Sequence, residues 1–257
     1  ADPTAYEMRV FFRNGCHVNY PPPAGALYVG DSDKKARRSY LPALVGASDL
    51  HWDGIDGDGV GVAVIDTGIW ADKGKSQYLR EDVHGMDRIV AQYDALSGGE
   101  LDKKSNSDGN GHGSHVTSLM VSSRYKDSEF NGVAPNADLI AVRAFDAEGQ
   151  GTYADVIRAI DWVVTNRKKH KIRIINASFS AEPRSYYWDD PINQAIMVAW
   201  QNEIFVVAAA GNRGPDPMTI GVPGNVTYVL TVGAMTDNFT AADAADDELA
   251  SFSSTGP

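Results

Sequence analysis

Five short apolar runs, at residues 60–65, 137–145, 172–177, 204–210 and 226–234, do most to restrict how this chain can fold. Each is apolar along most of its length, the pattern of a strand covered on both faces. Between them lie helical patterns. In residues 153–166, Val156, Ile157, Ile160, Val163 and Val164 form one stripe at 3.6-residue spacing. Thr152 with Asp155 three residues on reads as a capping box. In residues 191–202 the stripe is Ile192, Ala195, Ile196 and Ala199, with Asp190 as N-cap and Pro191 at the first helical position. Strands alternating with helical crossovers predict an α/β fold, a three-layer sandwich around a mostly parallel sheet.

At 257 residues the chain is long enough to bury one sizeable core. Residues 1–39 differ from the rest: a strand-like run at 8–12, then Pro21-Pro22-Pro23, then a basic run at 34–38. They read as an extended leader or a pro-segment remnant, with one domain over residues 40–257. A net charge of −11 argues against nucleic acid as a partner. The basic run at 167–171 suits the solvated end of a helix. No stretch approaches the roughly 20 apolar residues that cross a bilayer, so no membrane partner is expected. Cys16, the single cysteine, allows no intramolecular disulfide.

Three places concentrate chemistry. The run at 60–65 stops on Asp66-Thr67-Gly68, and the carboxyl end of a parallel strand is where such sheets bind ligands. Gly111-His112-Gly113-Ser114-His115 puts an imidazole where a helix starts, with Val116, Leu119 and Met120 expected to face inward. The run at 204–210 shrinks to alanine and ends on Gly211-Asn212, small residues beside an amide that can donate to a developing oxyanion. Taken singly, the three are also a turn-forming Asp, a helix-start His and a common Gly-Asn turn. Gly57-Asp58-Gly59-Val60-Gly61 is no dinucleotide fingerprint, because its glycines precede the strand. His112 and His115 lack the i, i+4 spacing and intervening Glu of a zinc helix, so no metal ligands are assigned.

Asp66-Thr67-Gly68, His112-Gly113-Ser114-His115-Val116 and Ala209-Ala210-Gly211-Asn212, in that order, resemble the subtilisin-like serine proteases, the subtilases (peptidase family S8). Gly132-Val133-Ala134-Pro135, Ala177-Ser178-Phe179-Ser180, Val232-Gly233-Ala234 and Ser251-Phe252-Ser253-Ser254-Thr255-Gly256-Pro257 resemble the family too, from about residue 40 onward. The resemblance implies a subtilisin-like fold and a secreted serine endopeptidase working through an Asp-His-Ser triad and an acyl-enzyme. Asp66 would orient His112, His112 would be general base and then acid, and Asn212 would donate to the oxyanion. A polypeptide substrate would lie as a strand between Gly149-Gln150-Gly151 and Ser178-Phe179-Ser180. Ala209 and Gly211 would line the pocket for the residue before the cut, and Asp108 would edge a substrate pocket. Ser180 stands where the family usually has Gly, which adds a side chain beside the pairing backbone.

The family's nucleophile sits in a Gly-Thr-Ser-Met-Ala-type turn beyond a segment like Ser251–Pro257. The expectation is therefore a subtilase truncated at its C-terminus before the catalytic serine, inactive by itself and completed by a further C-terminal chain. An apolar sheet surface left uncovered would favour association. No cofactor is needed for the chemistry. Structural calcium is frequent in the family, but the acidic loop at 237–248 shows no spacing that names ligands. The competing class is a non-catalytic pseudo-protease fragment that captures extended peptides.

Overall fold

The computed structural model describes residues 7–9, 41–72, 76–126, 128–236 and 244–256. In chain order the elements begin with β1 (Glu7–Arg9), α1 (Leu41–Leu44), α2 (Ala47–Trp52), β2 (Gly61–Asp66), α3 (Gln77–Arg80), β3 (Ile89–Asp94) and β4 (Gly99–Leu101). Then come α4 (His112–Val121), β5 (Tyr125–Lys126), β6 (Glu129–Phe130), β7 (Asp138–Arg143), β8 (Gln150–Thr152), α5 (Tyr153–Asn166) and β9 (Ile172–Ala177). The last are α6 (Pro191–Gln201), β10 (Phe205–Ala209), β11 (Leu230–Val232), β12 (Met235–Thr236) and β13 (Glu248–Leu249).

A seven-stranded sheet runs β11-β10-β9-β2-β7-β3-β4, parallel except for the β3–β4 pair at one edge. Its centre explains the unbroken apolar runs. Along β2, Ala63 and Ile65 face a core shared with α5 and α6, while Val62 and Val64 face a second core that includes Val121 of α4. On β7, Ile140 and Val142 join the first core and Leu139 and Ala141 the second. Residues alternate between faces along a strand, so a strand covered twice must be apolar at every position. Each fully buried Val, Ile or Leu contributes about 1.5–3 kcal/mol. The fold is the three-layer α/β sandwich expected.

Strand β9 and helix α5 coincide with their expected ranges, and the Thr152–Asp155 capping box is present. The run at 226–234 forms only a three-residue strand, β11. Strand β3 was not expected, because its sequence carries Gln92 and Asp94. Gln92 is nonetheless buried, donating to the Lys103 and Ser105 carbonyls and accepting from the Ser107 hydroxyl. Of the leader, only 7–9 is described; it forms β1, and Cys16 and the basic run at 34–38 lie outside the described residues. No described helix is long and apolar enough to cross a membrane.

Candidate active site

The strands β2, β9 and β10 run side by side in one direction, so Asp66, Ser178 and Asn212 all emerge at one edge of the sheet. Asp66 is the last residue of β2 and is buried. Its Oδ1 accepts two hydrogen bonds, from its neighbour's backbone N–H at Thr67 (2.7 Å) and from Nδ1 of His112 (2.7 Å). His112 opens α4, behind Gly111, whose φ of +102° suits a residue without Cβ. The backbone thus brings together two groups 46 positions apart in sequence, the carboxylate buried and the imidazole partly accessible. A buried carboxylate on Nδ1–H selects the tautomer whose Nε2 is free of a proton and able to accept one.

The start of α4 sits unusually close to the Asp66–Gly68 turn. A Cβ on Gly113 would overlap the Gly68 carbonyl oxygen, so both chains pass where only glycine fits. The Gly113 N–H donates to Thr67 Oγ1 (2.9 Å), which donates to Asp108 Oδ1 (2.8 Å). Asp108 Oδ1 also accepts from the N–H groups of Asn110 (3.0 Å) and Gly111 (2.7 Å). Its Oδ2 accepts from Ser114 N–H (2.9 Å) and Ser114 Oγ (2.6 Å). Burial raises the Asp108 pKa, but the Ser114, Gly111 and Thr67 donors outweigh it and hold the carboxyl below its ordinary value. Asp108 was expected to edge a substrate pocket. Its carboxylate points inward and ties the first turn of α4 to the β2 turn, with both oxygens taken up by these donors.

The inward face of α4 also differs from expectation. Gly113, Ser114, Thr117 and Val121 are its buried residues, while Val116, Leu119 and Met120 are half-buried. Close approach to β2 admits only small side chains at the fully buried positions, while Met120 still packs against the second core. His115 is exposed.

The two segments expected to flank a substrate are ordered by different means. Gly149 closes a turn (φ +74°) in which Gln150 N–H donates to Asp146 Oδ1 (2.8 Å). Gly151 of β8 lies against the Ala144 carbonyl and the Phe145 ring, leaving no space for a Cβ. The edge of β8 carries an antiparallel strand from the chain itself, with Glu7, Met8 and Arg9 opposite Thr152, Gly151 and Gln150. Across from it, Ser178 Oγ accepts from Asn176 Nδ2 (2.8 Å), and the buried Phe179 ring packs on Phe145 at 5.2 Å. Phe179 therefore presents backbone and not side chain. The Ser180 hydroxyl points at Gly211 and Gly221, into space that a Cβ on either glycine would need. Ala209 ends β10, Gly211 takes φ +109°, and the Asn212 carboxamide is exposed. Ser253 and Ser254 are buried and their hydroxyls pair with backbone, accepting from Ala234 N–H (3.0 Å) and Arg213 N–H (3.1 Å). Among the described residues, no group of three His, Cys, Asp or Glu side chains is arranged to hold a metal ion.

Residues 57–257 match the family described as the subtilase family, peptidase S8. The chain belongs to the subtilases. This subtilase is 38% identical over 209 residues to serine protease AprX of Bacillus subtilis (strain 168), covering 79% of the chain and 44% of that relative. It is 33% identical over 215 residues to subtilisin DY of Bacillus licheniformis, covering 83% of the chain and 67% of that relative. Among solved structures, the S41 psychrophilic protease superposes with a TM-score of 0.65 at 26% identity, covering 86% of this chain and 67% of that one. The chain thus spans less than half the length of AprX.

Two residues of this subtilase that sequence reasoning passed over support the site. Thr67, between the motif aspartate and glycine, relays the contact from Asp108 to Gly113. Trp70 donates Nε1–H to the Asp108 carbonyl (2.8 Å) and its backbone N–H to Ser114 Oγ (2.9 Å), and leaves half its surface exposed beside Gly111. Its only signal in the sequence is an aromatic four residues after Asp66.

Proposed function

We propose that the chain carries the aspartate, the histidine and the oxyanion-donor amide of a subtilisin-like serine endopeptidase that cleaves polypeptides through an acyl-enzyme. The 2.7 Å contact between His112 Nδ1 and Asp66 Oδ1 carries this reading. Asp66 holds the imidazole by its Nδ1–H and stabilises the imidazolium that forms. His112 Nε2 takes the proton of the attacking hydroxyl and returns it to the leaving amine. Asn212, at the same sheet edge, donates to the tetrahedral oxyanion. In subtilisin itself, loss of such an amide costs about 10²–10³ in kcat, a magnitude carried over from that enzyme.

The substrate lies as an antiparallel strand on the edge of β8, with the Ser178–Ser180 backbone opposite. Support comes from β1, an extended segment of the same chain already paired antiparallel with Gln150–Thr152. Ala209 and Gly211 line the pocket for the residue before the cut. No Gly-Thr-Ser-type turn occurs among these 257 residues, so the attacking serine is assigned to none of them. In this reading residues 40–257 bear the aspartate and histidine of the peptidase domain, and turnover requires a serine in a Gly-Thr-Ser-type turn. No cofactor enters the chemistry, and the enzyme works outside the cell.

Reading the gene past codon 257 and assaying the product with a chromogenic peptide tests this. Turnover should appear only with the downstream Gly-Thr-Ser turn present and vanish with His112→Ala. Turnover by the 257-residue chain itself, abolished by the same change, overturns the placement of the nucleophile. A natural stop after codon 257 favours a peptide-capturing fragment instead.

A further inference from the structure

The basic run at 167–171 belongs to a larger cationic surface in the fold than in the sequence. Helix α5 ends at Asn166; Lys168, Lys169 and Lys171 follow it, and Arg173 is the second residue of β9. Lys103 and Lys104 join them from a distant part of the chain. They follow β4, which runs antiparallel to β3, so they lie at the same end of the sheet as the start of β9. Trp162 of α5 stacks on Tyr93 of β3 (4.9 Å, 7°), and His170 stacks on Trp162 (6.1 Å), which carries the end of α5 across to β3. Burial, then Lys169 and Lys103, hold the His170 imidazole below its ordinary pKa, so lysines of both runs act on one ring.

All six of these Lys and Arg side chains are exposed, and none is ion-paired with a carboxylate among the described residues. Arg80, Arg143, Arg158 and Arg213, by contrast, each have an acidic partner. Glu100 acts on His170 and Asp138 on Lys171 without closing an ion pair. A helix C-terminus favours cations, but that effect fades within the last turn and does not reach Arg173, Lys103 or Lys104. In a chain of net charge −11, unpaired cations gathered on one surface repel one another, and an anion that spans them relieves the repulsion. Five of the six are lysines, which meet phosphates as point charges and demand no fixed orientation. Neither run carries an exposed aromatic or large apolar side chain, so the two offer charge without base stacking or insertion into a bilayer.

We propose that this surface, built from Lys103, Lys104 and the cations at 168–173, binds a linear phosphate-bearing polymer without bases, of the polyphosphate class. Binding needs no catalytic group and does not depend on the peptidase reading. It also sets an orientation. Asp66, Ser178 and Asn212 emerge at the carboxyl ends of β2, β9 and β10, the opposite edge of the sheet, so a bound polymer leaves that edge open.

The probe is end-labelled linear polyphosphate, titrated with the 257-residue chain at several sodium chloride concentrations and followed by fluorescence anisotropy. Neutralising one phosphate per exposed cation predicts that log K falls against log salt with a slope of about −4. Lys168→Gln with Lys169→Gln, and Lys103→Gln with Lys104→Gln, should each weaken binding by more than about tenfold in dilute salt and make the slope shallower by about 1.4. Arg124→Gln with Arg184→Gln removes the same charge elsewhere and should leave affinity and slope nearly unchanged. In NMR spectra the His170 ring signals should move as polymer is added, and those of His112, at the opposite edge, should not. No binding, an unchanged slope in either lysine pair, movement of His112 in place of His170, or a control pair as damaging as the lysine pairs overturns the proposal. Tighter binding of single-stranded DNA or of phosphatidylglycerol vesicles at matched phosphate concentration assigns the surface to nucleic acid or to a membrane, and likewise overturns it.

Discussion

Thr67 Oγ1 stands 2.8 Å from Asp108 Oδ1 and takes the Gly113 N–H at 2.9 Å, so one hydroxyl fastens the β2 turn to the helix that begins on His112. Adjacent residues divide the work. Asp66 fixes the ring of His112 and Thr67 fixes the backbone next to it. A 1 Å drift of α4 would break both, which is why a carboxylate that never reaches the surface, Asp108, matters to the site.

Asp66→Asn should leave the fold intact and disable the base. An amide can donate to Nδ1 and hold the imidazole in the wrong tautomer. In a form that carries the nucleophile, peptide turnover should fall about 10⁴-fold. Nitrogen-15 spectra of the 257-residue chain should show the His112 proton moving from Nδ1 to Nε2.

Asp108→Asn should destabilise the chain by about 1–3 kcal/mol, because five donors lose an ionised acceptor. The folded-state pKa of Asp108 lies below the ordinary value of 3.8. Its contribution is therefore complete above about pH 4 and is lost as the pH falls towards the folded value. Urea unfolding between pH 2.5 and 7 should show a steeper acid-side loss in the parent than in the variant.

Gly113→Ala should cost more than about 2 kcal/mol, since the new methyl overlaps the Gly68 carbonyl and neither backbone can retreat without moving His112. Gly256→Ala, where a Cβ finds only the Ile220 side chain at 3.7 Å, should stay within about 0.5 kcal/mol. Thermal melts of the two variants make the comparison.

Edge strand β11 exposes Leu230 (51%) and Val232 (49%), near Met235, Leu249 and Phe252, which are exposed as well. An apolar edge with unpaired backbone invites pairing between molecules. Sedimentation should reveal concentration-dependent association of the chain, reduced by Leu230→Lys and Val232→Lys. A strictly monomeric parent at high concentration would contradict this.

Local pattern carried far in this molecule. Residues 153–166 and 172–177 declare a capped amphipathic helix and a strand because their signals lie within a few positions of each other. Asp66 and His112 are legible as candidates for a related reason: each sits in a short run of glycines and small residues whose order resembles a known family. Strand β3 was hidden because the partners that satisfy Gln92 are carbonyls 11 and 13 residues away. Of the residues expected inward on α4 only Met120 packs against the core, because hydrophobicity governs ordinary helix packing, whereas here the limit is the gap between Gly113 and Gly68.

The amino-acid order alone determined that strands alternate with helices around a doubly covered sheet, since periodicity and capping act over a few residues. Only the tertiary structure decided that Asp108 ties the first turn of α4 to the β2 turn, and that Tyr153 meets Asp190 at the end of β8. Those outcomes depend on backbones passing within contact distance of each other, a constraint set by packing in three dimensions that leaves no periodic trace along the chain.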